Sequence, residues 1–219
     1  NSLVDAAAMP MPAGNGAAAF AAAHPFNAPA IAYRQAHDMV CGFRGLTPSL
    51  ETTAMLRAVY MGLVAELDHH FGRIIAHLKS HGQYEDTLIV VTSDHGEMLG
   101  DYGCWGKINY LDAAFRVPLM IRVPGGATGR VDLPTESVDV MPTILDWLGQ
   151  DCPDSVDGHS LLPFARGGVP EDWRDYSVSE FDFGDPVAPT SMQRDLGLAS
   201  DECGVAILRT ASHSMVHFN

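Results

Sequence analysis

The strongest constraint on the fold is a long helical hydrophobic repeat that leads into a short β-branched segment. Between positions 56 and 78 the apolar residues recur at intervals of three and four, which predicts an amphipathic helix ending near Ser80. The stretch 47–53 (TPSLETT) supplies capping residues and an early glutamate, and Gly82 supplies a stop. The stretch 87–92 (TLIVVT) then predicts a strand buried on both faces of a parallel sheet. This order of elements indicates an α/β fold.

The rest of the chain continues this pattern and then departs from it. The stretch 117–123 (VPLMIRV) predicts a second buried strand. The stretch 138–148 (VDVMPTILDWL) predicts a helix, with Asp139 as a candidate cap and Gly149 as its stop. Beyond position 158 the sequence predicts short strands without intervening helices, which is typical of an antiparallel arrangement. These strands are expected at 176–183, 205–210 and 214–218.

Composition shifts divide the chain into three predicted segments. Residues 1–46 are rich in Ala, Pro and Gly and are expected to be irregular, because the prolines and glycines break the alanine runs. Residues 47–168 are expected to form part of an α/β domain. Residues 169–219 are expected to form a smaller β-containing subdomain, incomplete because the chain ends within a predicted strand.

Charge and cysteine content exclude several classes of protein. The chain has 13 Lys and Arg against 27 Asp and Glu, a net charge of −14, which opposes binding to nucleic acids or to an anionic membrane. It has no apolar run near the roughly 18 residues that would span a bilayer. The four cysteines are widely spaced, which disfavours a structural zinc site and favours reduced thiols in a cytoplasmic protein. They are Cys41, Cys104, Cys152 and Cys203.

Candidate chemistry lies directly after the first predicted strand, in TSDHGEMLGDYGCWGK. Ligands of open α/β sheets gather at the carboxyl ends of strands, where Asp94 and His95 are placed. A carboxylate oxygen beside an imidazole nitrogen suits Ca²⁺, Mn²⁺, Fe²⁺ or Zn²⁺. Lys107 follows Asp94 by 13 positions in a glycine-rich loop, where its charge could neutralise a phosphoryl or sulfuryl oxygen. Together the three residues favour chemistry on an anionic ester.

The residues alone leave ordinary structural roles open. Asp94 could cap a turn, His95 could be a loop histidine, and Lys107 could be a solvated surface charge. Two ligands are also too few for a catalytic metal ion. Serine hydrolase and P-loop functions lose support, because neither GxSxG nor GxxxxGK[ST] occurs.

The same segment, TSDHGEMLGDYGCWGK, resembles the sulfatase branch of the alkaline phosphatase superfamily. Further segments fit this branch, among them YLDAAFRVPLMIRVPGG, SVDVMPTILDWLG, DGHSLLPFARGG and HSMVHF, so that the resemblance covers about 50–219. Within this branch the segments most resemble phosphonate monoester hydrolases. The resemblance implies an alkaline-phosphatase-like sandwich, here partial, with helices packed on a mainly parallel sheet and a small antiparallel subdomain at the carboxyl end.

The resemblance also implies roles for individual residues. In this family one divalent ion is held by two aspartates, by an Asp-His pair and by a formylglycine, which is made from the cysteine of CxPxR. The formylglycine attacks the phosphorus or sulfur atom of the ester. Asp94 and His95 match the Asp-His pair, and Lys107 matches the lysine that contacts the transferred anion. His24 in HPFNAP resembles a histidine that positions the substrate or protonates its leaving group. Relatives of this type often form homo-oligomers.

The sequence departs from the family pattern in two ways. None of the cysteines lies in CxPxR, and the amino-terminal metal-binding aspartate is missing. We therefore expect part of a hydrolase of phosphonate monoesters, phosphodiesters or sulfate esters, inactive alone, with formylglycine in a missing amino-terminal part and a small anionic ester as substrate. One alternative is a noncatalytic binding or assembly module. Another is a two-metal phosphatase, phosphomutase or nucleotide pyrophosphatase, against which the loop ending in Gly106 and Lys107 counts.

Overall fold

A computed structural model describes residues 4–41, 45–47 and 49–219. Pro48, part of the predicted capping segment, lies outside the described residues. The helices are α1 (Ala17–Ala23), α2 (Asn27–Tyr33), α3 (Leu50–Ser80), α4 (Asp112–Phe115), α5 (Val140–Trp147), α6 (Leu162–Ala165) and α7 (Ser191–Leu196). The strands are β1 (Ile89–Thr92), β2 (Leu119–Arg122), β3 (Tyr176–Asp182), β4 (Gly204–Thr210) and β5 (Ser214–Phe218).

Helix α3 confirms the predicted long helix and its ends. The Ser49 hydroxyl accepts a hydrogen bond from the Thr52 amide at 3.0 Å, which satisfies one of the free donors of the first turn. At the other end, Gly82 adopts a left-handed conformation with φ of 68°, as expected of a glycine that stops a helix. Among the described helices, none is both long and apolar enough to cross a membrane.

The apolar face of α3 is less covered than its sequence predicts. Leu63, Leu67 and Ile74 expose 56%, 69% and 57% of their surface. A helix buries an apolar face only where another layer packs on it, and the described residues supply no such layer along much of this helix.

Strands β1 and β2 pair antiparallel, with Ile89 opposite Arg122 and Thr92 opposite Leu119. The α/β character and the places of both strands agree with the sequence, whereas the parallel pairing expected for them is wrong. The connection folds back as a loop with one short helix, α4, instead of crossing over along a long helix. Both strands are mostly half-buried, so neither is the fully buried strand that the sequence predicted.

The carboxyl-terminal part forms the small antiparallel sheet that the sequence predicts, in the order β3-β4-β5. Helix α7 lies between β3 and β4, so the expectation of no intervening helix is wrong. The reason is local capping: the Thr190 hydroxyl accepts from the Gln193 amide at 3.1 Å, and Gly197 ends the helix with φ of 68°.

The amino-terminal segment is helical over 17–23 and 27–33, so the irregular structure expected there is wrong for these residues. The side chain of Asn27 fastens the two helices by donating to the Phe20 carbonyl at 2.8 Å. Phe26 and Ala30 are buried in a core shared with the β3-β4-β5 sheet. The division into three segments stays a prediction, with the first segment packed on the third.

A buried ion cluster connects α5 with the chain that enters β3. Asp139 is fully buried, and its carboxylate accepts from the amides of Glu136 at 2.8 Å and His159 at 2.9 Å. It also forms an ion pair with Arg174, which lies 3.4 Å from the Glu136 carboxylate. Asp139 lies at the start of α5 as predicted, but its side chain makes no capping hydrogen bond to that helix. It bonds instead back to the turn before α5 and across to two other segments.

The four cysteines are free, two of them exposed and two buried. Burial raises the pKa of Cys104 to about 11, and burial together with nearby carboxylates raises the pKa of Cys203. Because the thiolate is the nucleophile, we expect Cys41 and Cys152 to react with Ellman's reagent at pH 8, and the buried pair to react only after unfolding. Counting titrated thiols before and after adding urea tests this, and rapid labelling of all four in the native chain would contradict it.

Candidate functional site

The site is built on the loop that leaves β1 and runs to α4. The Gly96 amide donates to the Ala114 carbonyl at 2.8 Å, which seats the start of the loop on α4. Further along, the Met98 amide donates to the Gly106 carbonyl at 3.0 Å and closes the loop on itself. This holds the segment before Lys107 close to the segment after His95.

Gly96 is required by close approach and not by its backbone angles. A Cβ at this position would lie 2.0 Å from the Ala113 carbonyl oxygen. Its φ is not among the positive values found in the chain, so any residue could adopt the conformation. The absence of a side chain is what lets the turn after His95 rest on the backbone of α4.

Asp94 and His95 form a pair with two ligand atoms close together. The His95 amide donates to Oδ1 of Asp94 at 3.0 Å, and Nδ1 of His95 lies 2.8 Å from the Gly96 carbonyl. A carbonyl only accepts, so Nδ1 carries the proton, and a neutral ring then has its lone pair on Nε2. That atom lies 3.3 Å from Oδ2 of Asp94. Two lone-pair donors at this separation can be shared by one cation.

The Asp94 carboxylate is favoured in its charged form. Desolvation raises the pKa of Asp94, whereas the hydrogen bond from the His95 amide, the nearby His95 imidazole and the charge of Lys107 lower it, and the net result is a pKa below its usual value. The side chain of Asp94 is 82% exposed and that of His95 is 35% exposed. The pair is therefore accessible from solvent with the carboxylate ionised at neutral pH.

The other two candidate residues occupy different places. Lys107 is exposed on the same loop as the pair. His24 lies against the carboxyl-terminal sheet, with its ring stacked on Phe218 at 4.2 Å between centroids. It borders a cavity of about 200 Å³ that is also lined by Phe183 and Glu202. Within the described ranges, its hydrogen bonds and ring contacts do not involve Asp94, His95 or Lys107.

Sequence reasoning missed Arg57, which fastens the loop to α3. Its guanidinium is buried, donates to the Leu99 carbonyl at 2.9 Å and pairs with Asp101. A further bond of 2.8 Å reaches the Pro10 carbonyl. The sequence shows only that Arg57 follows Leu56 in a predicted amphipathic helix. That position does not indicate which groups Arg57 would contact.

The pair offers only two potential metal ligands. Across 4–41, 45–47 and 49–219, no three His, Cys, Asp or Glu side chains converge in a way that could hold a metal ion. The donor set still fits a divalent cation, because a carboxylate oxygen and an imidazole nitrogen suit Ca²⁺, Mn²⁺, Fe²⁺ and Zn²⁺.

Comparison with protein families gives two matches. The model of the family "Sulfatase" matches residues 19–150. The model described as "N-sulphoglucosamine sulphohydrolase, C-terminal" matches residues 100–202. The two matches overlap across the loop that carries Lys107, and the first also contains Asp94 and His95.

Curated relatives agree with these matches. The chain is 45% identical over 166 residues to the multifunctional alkaline phosphatase superfamily protein PehA of Trinickia caryophylli, covering 74% of this chain and 32% of that protein. It is 37% identical over 130 residues to choline-sulfatase of Rhizobium meliloti, covering 58% of this chain and 25% of that protein. The chain thus spans about a third or less of the length of these relatives.

Solved structures show the same relationship in three dimensions. The chain superimposes on phosphonate monoester hydrolase from Silicibacter pomeroyi with a TM-score of 0.96 and 52% identity, covering 99% of this chain and 43% of that one. With the enzyme of the same name from Agrobacterium radiobacter, the TM-score is 0.91 and the identity 38%, over 98% and 44% of the two chains. These matches confirm the expected α/β fold, and the relatives are hydrolases. The chain belongs to the sulfatase family, within the alkaline phosphatase superfamily.

Proposed function

We propose that this chain is part of a metal-dependent hydrolase that cleaves phosphonate monoesters, phosphodiesters or sulfate esters, and that it is inactive alone. The observation that carries this proposal is the pair of ligand atoms on Asp94 and His95, 3.3 Å apart, on the loop that also carries Lys107. The names of the relatives supply the phosphonate monoesters and the sulfate esters, and the phosphodiesters rest on the resemblance of the sequence. Their greater length supports the view that other parts of the enzyme lie outside this sequence.

The metal proposal assigns Oδ2 of Asp94 and Nε2 of His95 to one divalent ion, Ca²⁺, Mn²⁺, Fe²⁺ or Zn²⁺. The hydrogen bond from Nδ1 of His95 to the Gly96 carbonyl would hold the ring in the tautomer that binds metal. When bound, such an ion polarises the ester oxygens as a Lewis acid. Its remaining ligands and the formylglycine nucleophile are expected outside this chain, since none of the cysteines here lies in CxPxR.

Lys107 and His24 are proposed to act on the substrate. The exposed ammonium group of Lys107 would stabilise negative charge on the oxygens of the transferred group. In His24, Nδ1 accepts from the Phe26 amide at 3.3 Å, so a neutral ring carries its proton on Nε2. That proton is the one His24 could donate to a leaving group or use to position the ester.

The charge, the exposed apolar residues and the thiols of the chain bear on its partners and its location. A small anionic ester is the expected substrate, with no role for nucleic acid or membrane in a chain of net charge −14. The exposed apolar residues of α3 and the isolated β1-β2 pair support further layers in the complete protein, because a two-stranded sheet is marginal alone. We also propose homo-oligomers for the complete enzyme and, from the four free thiols, a cytoplasmic location.

Metal titration tests the proposal on this chain. We expect weak binding of Mn²⁺ or Ca²⁺ by calorimetry, and at least about a tenfold loss in Asp94→Ala, because half of a two-ligand site disappears. The matched control is Asp195→Ala, which removes an exposed carboxylate on α7 and should bind like the wild type.

Equal binding by wild type and Asp94→Ala would instead favour a noncatalytic module that keeps the scaffold. Activity is tested on the longer protein encoded by the gene, with aryl phosphonate, phosphodiester and sulfate esters as substrates. A gene that encodes neither CxPxR nor another nucleophile upstream would exclude the catalytic proposal.

A further inference from the structure

The surroundings of Gly106 contain a second cation beside the proposed substrate lysine. A Cβ at Gly106 would lie 3.1 Å from Cδ of Arg34 and 3.6 Å from its Nε and Nη1. The Arg34 side chain therefore lies against the backbone of the residue that precedes Lys107. Gly106 has φ of 77°, a conformation that favours glycine. Because glycine has no Cβ, the Arg34 side chain can approach the backbone this closely.

Both cations are accessible to a ligand from solvent. Arg34 and Lys107 are exposed, and within the described ranges neither side chain makes a hydrogen bond or an ion pair with another side chain. The residues outside those ranges include no aspartate or glutamate that could serve as a partner. In the same chain Arg57, Arg122 and Arg209 each pair with a carboxylate.

The contact between Arg34 and Gly106 brings two positively charged residues to one segment of the loop. Like charges held on one segment repel each other, and an anion bound by both would remove that repulsion. The planar fork of arginine suits two oxygens of a tetrahedral anion, while lysine acts as a point charge.

We propose that Arg34 and Lys107 together form an oxyanion-binding site, in which Arg34 supplies a second cationic contact to the phosphoryl or sulfuryl group of the ester. This inference rests on the proposed function, because it takes Lys107 as a contact of the same anion. It adds Arg34 as a substrate-binding residue and requires an anion with at least two accessible oxygens.

Binding of inorganic phosphate in the presence of EDTA tests the site without a metal ion. In amide NMR titrations we expect saturable binding to the wild-type chain, centred on the loop around Gly106. Arg34→Met and Lys107→Met should each weaken it about tenfold, the loss expected for one charge-assisted hydrogen bond. Arg34→Lys should fall between Arg34→Met and the wild type, since it keeps the charge but not the fork.

Arg166→Met is the matched control, because Arg166 is also an exposed arginine, at the end of α6, for which the described residues provide no side-chain partner. It should bind phosphate like the wild type. Thermal unfolding of every variant should match the wild type, as Arg34 makes no side-chain hydrogen bond within the described ranges. If Arg34→Met were misfolded, phosphate binding by Arg34→Lys would be compared with that of the wild type instead.

The outcomes separate the two proposals. Full binding by Arg34→Met, with weakened binding by Lys107→Met, would overturn the role of Arg34 and leave the proposed function in place. Full binding by Lys107→Met would remove the anion contact from the proposed function as well. No saturable binding by the wild type, or an equal loss in Arg166→Met, would overturn the site.

Discussion

Gly96→Ala is expected to destabilise the chain by at least about 3 kcal/mol and to abolish Asp94-dependent metal binding. The new Cβ would lie 2.0 Å from the Ala113 carbonyl oxygen, and that oxygen belongs to backbone that cannot rotate away. The turn after His95 must then lift off α4, breaking the 2.8 Å bond between the Gly96 amide and the Ala114 carbonyl. Urea unfolding and Mn²⁺ titration of the same variant measure the two effects.

The control is Gly72→Ala in the middle of α3. Apart from the backbone of α3 itself, no atom of the described residues lies within 4 Å of a Cβ at Gly72, and the residue is helical. Alanine there should stabilise the chain by about 0.5 to 1 kcal/mol, because it loses less conformational entropy on folding than glycine. Similar stabilities for the two variants would show that the turn after His95 does not rest on the backbone of α4.

Asp139→Asn is expected to destabilise the chain by about 3 to 5 kcal/mol, because it leaves the Arg174 guanidinium with one charged partner fewer in a buried position. The Asp139 side chain is fully buried and that of Arg174 is 12% exposed, so water cannot replace the lost carboxylate. The amide of asparagine would also turn a donor towards the amides of Glu136 or His159, which need acceptors. Urea unfolding measures the loss.

Two further variants test whether loss of the ion pair causes the lower stability of Asp139→Asn. Asp132→Asn removes one carboxylate of an exposed pair with Arg130, whose side chains are 72% and 78% exposed, and should change stability by less than about 0.5 kcal/mol. Combining Asp139→Asn with Arg174→Met should recover part of the loss, because the guanidinium no longer stays buried without Asp139, and the Glu136 carboxylate still accepts from the Val178 amide. If the double variant were as unstable as the sum of its two single variants, the pair would not be the cause.

Local signals in the sequence were enough for much of the architecture. The capping hydroxyl of Ser49, the spacing of apolar residues and Gly82 specify α3, and the run after Thr87 specifies β1. The short strands of the carboxyl-terminal sheet were found in the same way, since alternation is a property of neighbouring residues. Asp94 and His95 are adjacent in sequence and directly follow a strand, so their proximity needed no long-range contact.

Contacts between residues that are far apart in the sequence could not be predicted from local signals. The direction of β2 relative to β1 depends on how 26 intervening residues fold back, and Arg57 meets Leu99 only because the loop lies on α3. The Arg34 side chain lies beside Gly106, 72 positions away, with no pattern in either segment that predicts it. Capping and periodicity act over a few residues, whereas these contacts depend on how the whole chain packs. For this reason the sequence located the adjacent Asp94 and His95 but not the residues that support them.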